Sequence, residues 1–566
     1  MVRLLKSIST TRYVVLIVLV GLVVYLNSFN NGFVMDDSLQ IVDNPLIRSV
    51  KNIPITFLTS TFNAGSTIQG AYYRPLMMSA FTIIYALFGA DSAFMYHAIL
   101  IILHIVNAVL IFFVFKHFFK KPIAFLSALL FLVHPINAET ANYVSNMQET
   151  LFVFFGLLAV KTIMKGSKRS VFLSLFLILL SLFSKETGVL FIFTVFMYQV
   201  FFHRKYLALY SVGAIVVAGI YAALHTVAVG WTIKGESPIS QAPLEIRLLN
   251  VPHVIWYYLK TLVFPKSLAT GYSQVIPSAT WSEVYLPLLT IVATFGSLGI
   301  IGYLLYRRKD KQLHRYLFFL SMFGAGIALH SQLVPLDQTV ADRWFYFPFI
   351  GLLGLLATGL SRITYSKKYL SVYIIGALLI LVMLGTRTII RNNDWKDGKT
   401  LAEHDLVVNP NSYLLTNYYG YELSKEGYLD EAKDQYEASI KYYPEWGISW
   451  NNLGSVLVKT SKESNDAASV ERARYALQEA ARYLSVSDIP YENMAILMYE
   501  HDKPEATREY VKKMLKKFPR NSRLWLILSF TEYKMKNETS AKQAAEKSLK
   551  LNPSCSDCIN ILRQLN

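Results

Sequence analysis

Long apolar runs separated by short polar loops fill the first two thirds of the chain, and the remainder is polar with helical periodicity. The runs lie near 13–28, 93–118, 122–135, 149–164, 171–184, 187–202, 206–230, 283–306, 316–335, 345–361 and 370–387. A helix needs about 20 apolar residues to cross hydrocarbon. The eleven runs therefore predict about eleven transmembrane helices, several of them short. The first, Tyr13 to Leu26, follows a basic stretch as a signal peptide would. It continues into Asn27-Ser28-Phe29-Asn30 with no small-x-small cleavage site, which predicts an uncleaved span. Segment 76–90 reads as an interfacial helix. Segment 248–264, with Pro252, His253 and Lys260, reads as interfacial or re-entrant.

The polar remainder has a period. Pro410 and Pro444 are 34 residues apart, as are Pro519 and Pro553; the interval from Pro444 to Pro519 is 75, two such periods and seven more. Thirty-four residues is the period of tetratricopeptide repeats, two-helix units that stack into a superhelix. Gly420, Ala432 and Tyr436 mark the first unit, and Trp450, Gly454, Ala473 and Ala480 the second, with the insertion near 459–470. Ala506 and Tyr510 mark a weaker third; Trp525, Ala541 and Ala545 mark the last. The expected fold is all-α: a polytopic membrane domain over 1–387, a connector over 388–409 containing Trp395, and about four repeats over 410–566.

Charge adds orientation. Residues 1–387 hold 30 Lys+Arg and 13 Asp+Glu, and residues 388–566 hold 25 of each, so the whole +17 belongs to the apolar part. A neutral soluble part and a basic membrane part argue against nucleic-acid binding. Basic residues are retained on the cytoplasmic side of short loops. Six loops, around Arg3, Lys116, Lys165, Arg204, Arg308 and Lys367, collect 20 of the 30 basic residues and one acid, Asp310. This alternation, with an odd number of spans, puts the repeats outside the cytoplasm. The only two cysteines, Cys555 and Cys558, lack a βαβ surrounding and read as a local disulfide or two free thiols.

The same topology gathers the remaining polar groups on the outer face. They are Asp36 and Asp37 after the first span, Arg74 in Tyr72-Tyr73-Arg74-Pro75, His134 and Glu139 in His134-Pro135-Ile136-Asn137-Ala138-Glu139, Lys185 and Glu186, and Asp342 and Arg343. Paired carboxylates suit a general base or a divalent metal, and cations at a membrane surface suit an anionic lipid head group. Each residue also has a structural reading: a polar collar for Asp36–Asp37, a neutralised turn for Lys185–Glu186, a helix cap for His134, a snorkelling Arg343. His97 and His104 read as packing residues.

Gly-Phe-Val-x-Asp-Asp with Asn44-Pro45, Tyr73-Arg74-Pro75-Leu76, Val133-His134-Pro135-Ile136 with Glu139, Ser184-Lys185-Glu186, and Asp342-Arg343-Trp344-Phe345-Tyr346, followed by the repeats, resemble in their order the transmembrane and tetratricopeptide repeat-containing O-mannosyltransferases, of the GT-C class, and their prokaryotic relatives. The resemblance implies an inverting membrane glycosyltransferase with a polyprenyl-phosphate sugar as donor, mannose in eukaryotic members, and a protein Ser or Thr hydroxyl as acceptor. The acidic residue of the first external loop in that class maps to Asp36 or Asp37, as general base; the grouping of polar residues on the outer face assigns donor-phosphate binding to Arg74, Lys185 and Arg343, and support to His134, Glu139, Glu186 and Asp342. A divalent metal at Asp36 and Asp37 is compatible with the pair and not required by it. The repeats would help bind an acceptor protein. Two departures stand out: Met147 replaces an Arg that often follows Tyr-Val-Ser in the family, and four repeats are few for eukaryotic members. The second favours a prokaryotic plasma membrane, with site and repeats extracytoplasmic; a eukaryotic protein would place them in the endoplasmic reticulum lumen. The alternatives are the same chemistry on a lipid or envelope glycan, or a non-catalytic envelope scaffold.

Overall fold

The computed structural model describes residues 9–62, 72–89, 92–230, 237–363, 369–464, 466–553 and 555–565. The protein is all-helical; among the described residues the only extended pairing is an isolated antiparallel bridge between Tyr272 and Val340. It divides into two compact units, Met1–Pro410 and Asn411–Asn566.

Each of the eleven apolar runs is a helix in the first unit: α1 Thr10–Val24, α3 Ala93–Phe118, α4 Lys121–Val133, α5 Met147–Ile163, α6 Lys168–Ser184, α7 Val189–Phe202, α8 Leu207–Val229, α10 Leu286–Arg307, α11 Leu313–Leu329, α12 Tyr346–Leu360 and α13 Leu370–Asp394. The expected interfacial segments are α2 Pro75–Phe88 and α9 Leu244–Val263, the latter with Pro252 inside it. Judged by length and composition among the described residues, five segments can cross a membrane: Ala93–Phe118, Arg204–Val229, Trp281–Arg307, Asp342–Leu360 and Ser371–Asp394. Lys121–Val133 and Pro135–Asn142 would together make a sixth, bent by 53° where Pro135 interrupts the backbone ladder. Four more apolar helices, Thr10–Val24, Pro75–Phe88, Glu186–Phe202 and Leu313–Leu329, fall short of a full crossing.

Residues 388–409, expected as a connector, are helical and packed within the first unit. Helix α13 runs on to Asp394, turns at the fully buried Trp395, and continues as α14, Gly398–Val408. Arg391 and Asp405, both buried, pair at 2.7 Å, and Asp405 also accepts from the Thr270 N–H at 2.6 Å and hydroxyl at 2.8 Å. A buried ion pair is tolerable only when its remaining valences are satisfied in this way.

The second unit is four helix pairs and a last helix: Tyr413–Glu426 with Leu429–Tyr442, Gly447–Ser464 with Ala467–Tyr483, Ile489–His501 with Pro504–Lys517, Ser522–Lys534 with Glu538–Leu551, then Ser556–Gln564. The proline period has a physical cause. Trp450 Nε1 donates to the Pro444 carbonyl at 2.7 Å, and Trp525 Nε1 to the Pro519 carbonyl at 3.0 Å, so the indole of one pair caps the end of the pair before it. Gly454 lets the helices of the second pair close up; a Cβ there would stand 2.6 Å from Leu477. The second pair, where the insertion falls, has helices of 18 and 17 residues where the first has 14 and 14. Cys555 and Cys558 form a disulfide at the start of the last helix.

Candidate functional site

The loop after α1 is held by its neighbours more than by itself. The Asn31 amide donates to Asn142 Oδ1 and to the Asn392 carbonyl, each at 3.2 Å, and Asn142 donates to Asn392 Oδ1 at 2.7 Å. Gly32 N–H donates to the Lys396 carbonyl at 2.8 Å, and the Gly32 carbonyl meets His97 Nε2 at 3.1 Å. Met35 then takes φ = 50°, a left-handed conformation that a non-glycine residue holds only when its surroundings impose it. Val34, Tyr143, Trp395 and Leu401 form a buried cluster against which Met35 packs, with Tyr143 stacked on Trp395 at 5.9 Å.

That turn sends the two carboxylates in different directions. Asp37 is fully buried. One oxygen accepts from the Ser145 N–H at 2.7 Å and hydroxyl at 2.6 Å, and the other from the Val34 N–H at 3.0 Å. Burial nevertheless pushes its carboxyl up to about 7, against the hydrogen bonds that hold the charged form. Asp36 is exposed and lines a cavity of about 90 Å³. Its backbone N–H donates to the Tyr143 hydroxyl at 3.1 Å. The recess raises its carboxyl above the ordinary carboxylate range by desolvation, while the Tyr143 hydroxyl and the positive charge of Arg343 pull the other way.

The cavity brings Asp36 together with Arg74, Lys185, Glu186 and Arg343. Arg74 precedes α2, lies over the Tyr72 ring at 4.1 Å, and pairs with Glu186 at 3.2 Å. Lys185 and Glu186 sit on the tight turn between α6 and α7. Gly188 permits that turn, since a Cβ there would come within 2.7 Å of the Leu182 backbone nitrogen. Lys185 pairs with Glu149 in the first turn of α5, both of them buried. Arg343 pairs with Glu139 and gives that residue its backbone N–H as well, at 3.1 Å. All three cations thus carry a carboxylate partner, a balance that the outer-face count of charges does not disclose.

Asp37, His134, Glu139 and Asp342 are not part of the cavity lining. His134 caps the turn Pro135–Asn137, accepting from Ile136 N–H, and its other ring nitrogen meets the Leu262 carbonyl at 2.9 Å. Asp342 accepts from the Tyr257 hydroxyl at 2.6 Å. His104 is buried between the hydroxyls of Tyr346 and Tyr25, consistent with packing. Polar or ring residues that sequence reasoning did not single out also line it, among them Gln40, Tyr143, Asn146, Gln148, His330 and Asp337, and Phe62, Leu336 and Trp344 add apolar surface. Glu149 had one available signal, as an acid in the opening turn of an apolar run demands a buried cation.

A metal at Asp36 and Asp37 finds little support in this arrangement. Both oxygens of Asp37 face N–H or O–H donors, and among the described residues no three His, Cys, Asp or Glu side chains converge.

No family model matches the chain. Among curated proteins it is similar to human protein O-mannosyl-transferase TMTC3, 23% identical over 96% of this chain and 65% of that protein. It is similar to Caenorhabditis elegans protein O-mannosyl-transferase F38B6.6, 25% identical over 77% of this chain and 63% of that one. It is also similar to human protein O-mannosyl-transferase TMTC1, 25% identical over 77% of this chain and 56% of that one. The chain spans less than two thirds of the length of these relatives. The resemblance to the transmembrane and tetratricopeptide repeat-containing O-mannosyltransferases runs along most of the chain.

Proposed function

We propose that the protein is a membrane glycosyltransferase that moves a mannose-like sugar from a polyprenyl phosphate to a Ser or Thr hydroxyl of a protein. The observation that carries this reading is the parting of the carboxylate pair: Asp36 stands in a cavity with three cations while Asp37 is locked behind it. The names of the similar proteins support the reaction class.

In this mechanism the acceptor hydroxyl gives its proton to Asp36 as its oxygen attacks the anomeric carbon. The new C–O bond forms on the face opposite the phosphate, the old bond to the phosphate oxygen breaks, and the configuration inverts. The departing lipid phosphate is stabilised by the cations. Their carboxylate partners do not exhaust them. Arg74 uses Nη2 on Glu186 and leaves Nε without a partner, and Lys185 has three protons to share. Charge-assisted bonds of this kind contribute about 1.5–3 kcal/mol each. Asp37 and Tyr143 hold the backbone that carries Asp36. No step needs a metal.

The test is to incubate the purified protein with polyprenyl-phosphate sugars and a Ser/Thr-rich peptide. Consumption of one donor with sugar appearing on the peptide is expected; transfer only to lipid or glycan acceptors would overturn the protein-acceptor reading.

We also propose that the cavity and the repeats face away from the cytoplasm, a reading supported by the segregation of basic loop residues. Protease added to right-side-out vesicles should release a fragment beginning near 409–412, the break between α14 and the first repeat helix, because 388–408 is helical and packed. Cleavage there only in inverted vesicles would overturn this orientation.

A further inference from the structure

Beyond the base and the cations, the cavity has a neutral side. Gln40, Asn146, Gln148 and Thr187 all line it, and each is at most 8% exposed. Each also leaves a buried polar atom without a partner: Gln40 Oε1, Asn146 Nδ2, Gln148 Oε1 and Thr187 Oγ1. Most buried polar atoms in folded proteins are paired, so four such atoms around one cavity call for an explanation.

From this arrangement we infer that Gln40, Asn146, Gln148 and Thr187 form the subsite that reads the hydroxyl groups of the transferred sugar. The inference rests on the transferase reading for the identity of its ligand.

The chemistry of the unpaired atoms selects among the ligand's parts. Whichever way a carboxamide is turned, it offers one donating and one accepting group, and a threonine hydroxyl does both. A phosphate group only accepts, so it cannot satisfy a carbonyl oxygen. A polyprenyl chain satisfies neither. A sugar hydroxyl donates and accepts at once and matches every member of the set. Arg74 Nε, the unpaired charged donor in the same cavity, is the group suited to phosphate.

Placement agrees with this division. The Gln40 N–H donates to the Asp36 carbonyl at 2.8 Å, one turn beyond the proposed base. Asn146 follows Ser145, which holds Asp37, and Gln148 opens α5 one residue before Glu149. Thr187 lies two residues after Lys185 on the same turn. Gln40 thus shares a turn with Asp36, at the attacking end of the reaction, and Thr187 shares one with Lys185, at the leaving end. The sugar ring is the part of the donor that lies between those ends.

Gln148→Leu and Asn146→Ala test the inference, in full-length protein in detergent. Binding is measured for polyprenyl phosphate without sugar, for its mannose conjugate, and for the glucose and galactose conjugates. Wild type should bind one conjugate more tightly than the bare phosphate and discriminate between epimers. The variants should lose about tenfold of that discrimination, keep their affinity for bare phosphate, and melt close to wild type, because the removed side chains share only one long hydrogen bond, from Gln148 Nε2 to Asn146 Oδ1 at 3.5 Å. The inference falls if discrimination survives in both variants, if affinity for bare phosphate drops equally, or if only the KM for the acceptor peptide changes. Sugar-dependent binding without transfer to any peptide would sink the proposed reaction and leave the subsite standing.

Discussion

Asp36→Asn is expected to lower transfer by about 10²–10⁴-fold, the usual contribution of a positioned base, with donor binding and thermal stability close to wild type. Asn keeps the shape of the side chain and removes its basicity, and Asp36 is exposed in the cavity, so little packing is disturbed. The neighbouring change should behave differently. Asp37→Ala removes the acceptor of three hydrogen bonds and strands the N–H groups of Val34 and Ser145 in a buried setting. Each stranded group costs about 1–3 kcal/mol, so this variant should melt measurably lower whatever its activity. The pH profile supplies a second readout. A base works deprotonated, and the Asp36 carboxyl is raised, so the wild-type rate should climb with pH through a value above the ordinary carboxylate range of about 4. Full activity of Asp36→Asn, with loss confined to Asp37 variants, would reverse the assignment.

Lys185→Met is expected to destabilise the protein by about 3–5 kcal/mol, the cost of leaving a buried charge without its partner. The charge is Glu149, whose side chain is 2% exposed. Lys185→Met combined with Glu149→Leu should recover most of that loss, because an apolar pair of similar volume often replaces a buried ion pair at little cost. Recovery of folding should not restore donor use: the KM for the polyprenyl-phosphate sugar should stay raised in the double variant. If the double variant transfers normally, the Lys185–Glu149 pair only braces the turn between α6 and α7.

These two contrasts mark where sequence patterns stop being informative. The helical repeats are legible because their signals are local: a proline ends one pair, a tryptophan six residues on caps it, and small residues set the close approaches. Asp36, Arg74, Lys185, Glu186 and Arg343, which the hydropathy pattern puts at the ends of apolar runs, meet in one cavity. Asp36 and Asp37 are adjacent and chemically identical, so nothing local separates them. Their roles part through the backbone turn at Met35 and through Ser145, which lies 108 residues beyond Asp37. Pairing is hidden for the same reason. Arg343 finds Glu139 across 204 residues of chain. Span count is the other limit: α5 and α6 have 17 residues each, and hydropathy alone cannot say how such a helix sits in a bilayer.

The asparagine suture carries a consequence for how the molecule is made. The Asn31 amide reaches the Asn392 carbonyl across 361 residues, Asn392 returns a hydrogen bond to the Val24 carbonyl, and Gly32 is pinned to Lys396. The loop bearing Asp36 leaves the ribosome well before its tethers, which are among the last parts of the first unit. Contacts of such long separation form late, since the chain between must be ordered before they can close. A nascent chain with every apolar helix but α13 already in the membrane would still lack the frame that imposes the Met35 turn. The carboxylate would acquire its aim only as the final helix inserts, so incomplete copies would reach the membrane without an assembled site.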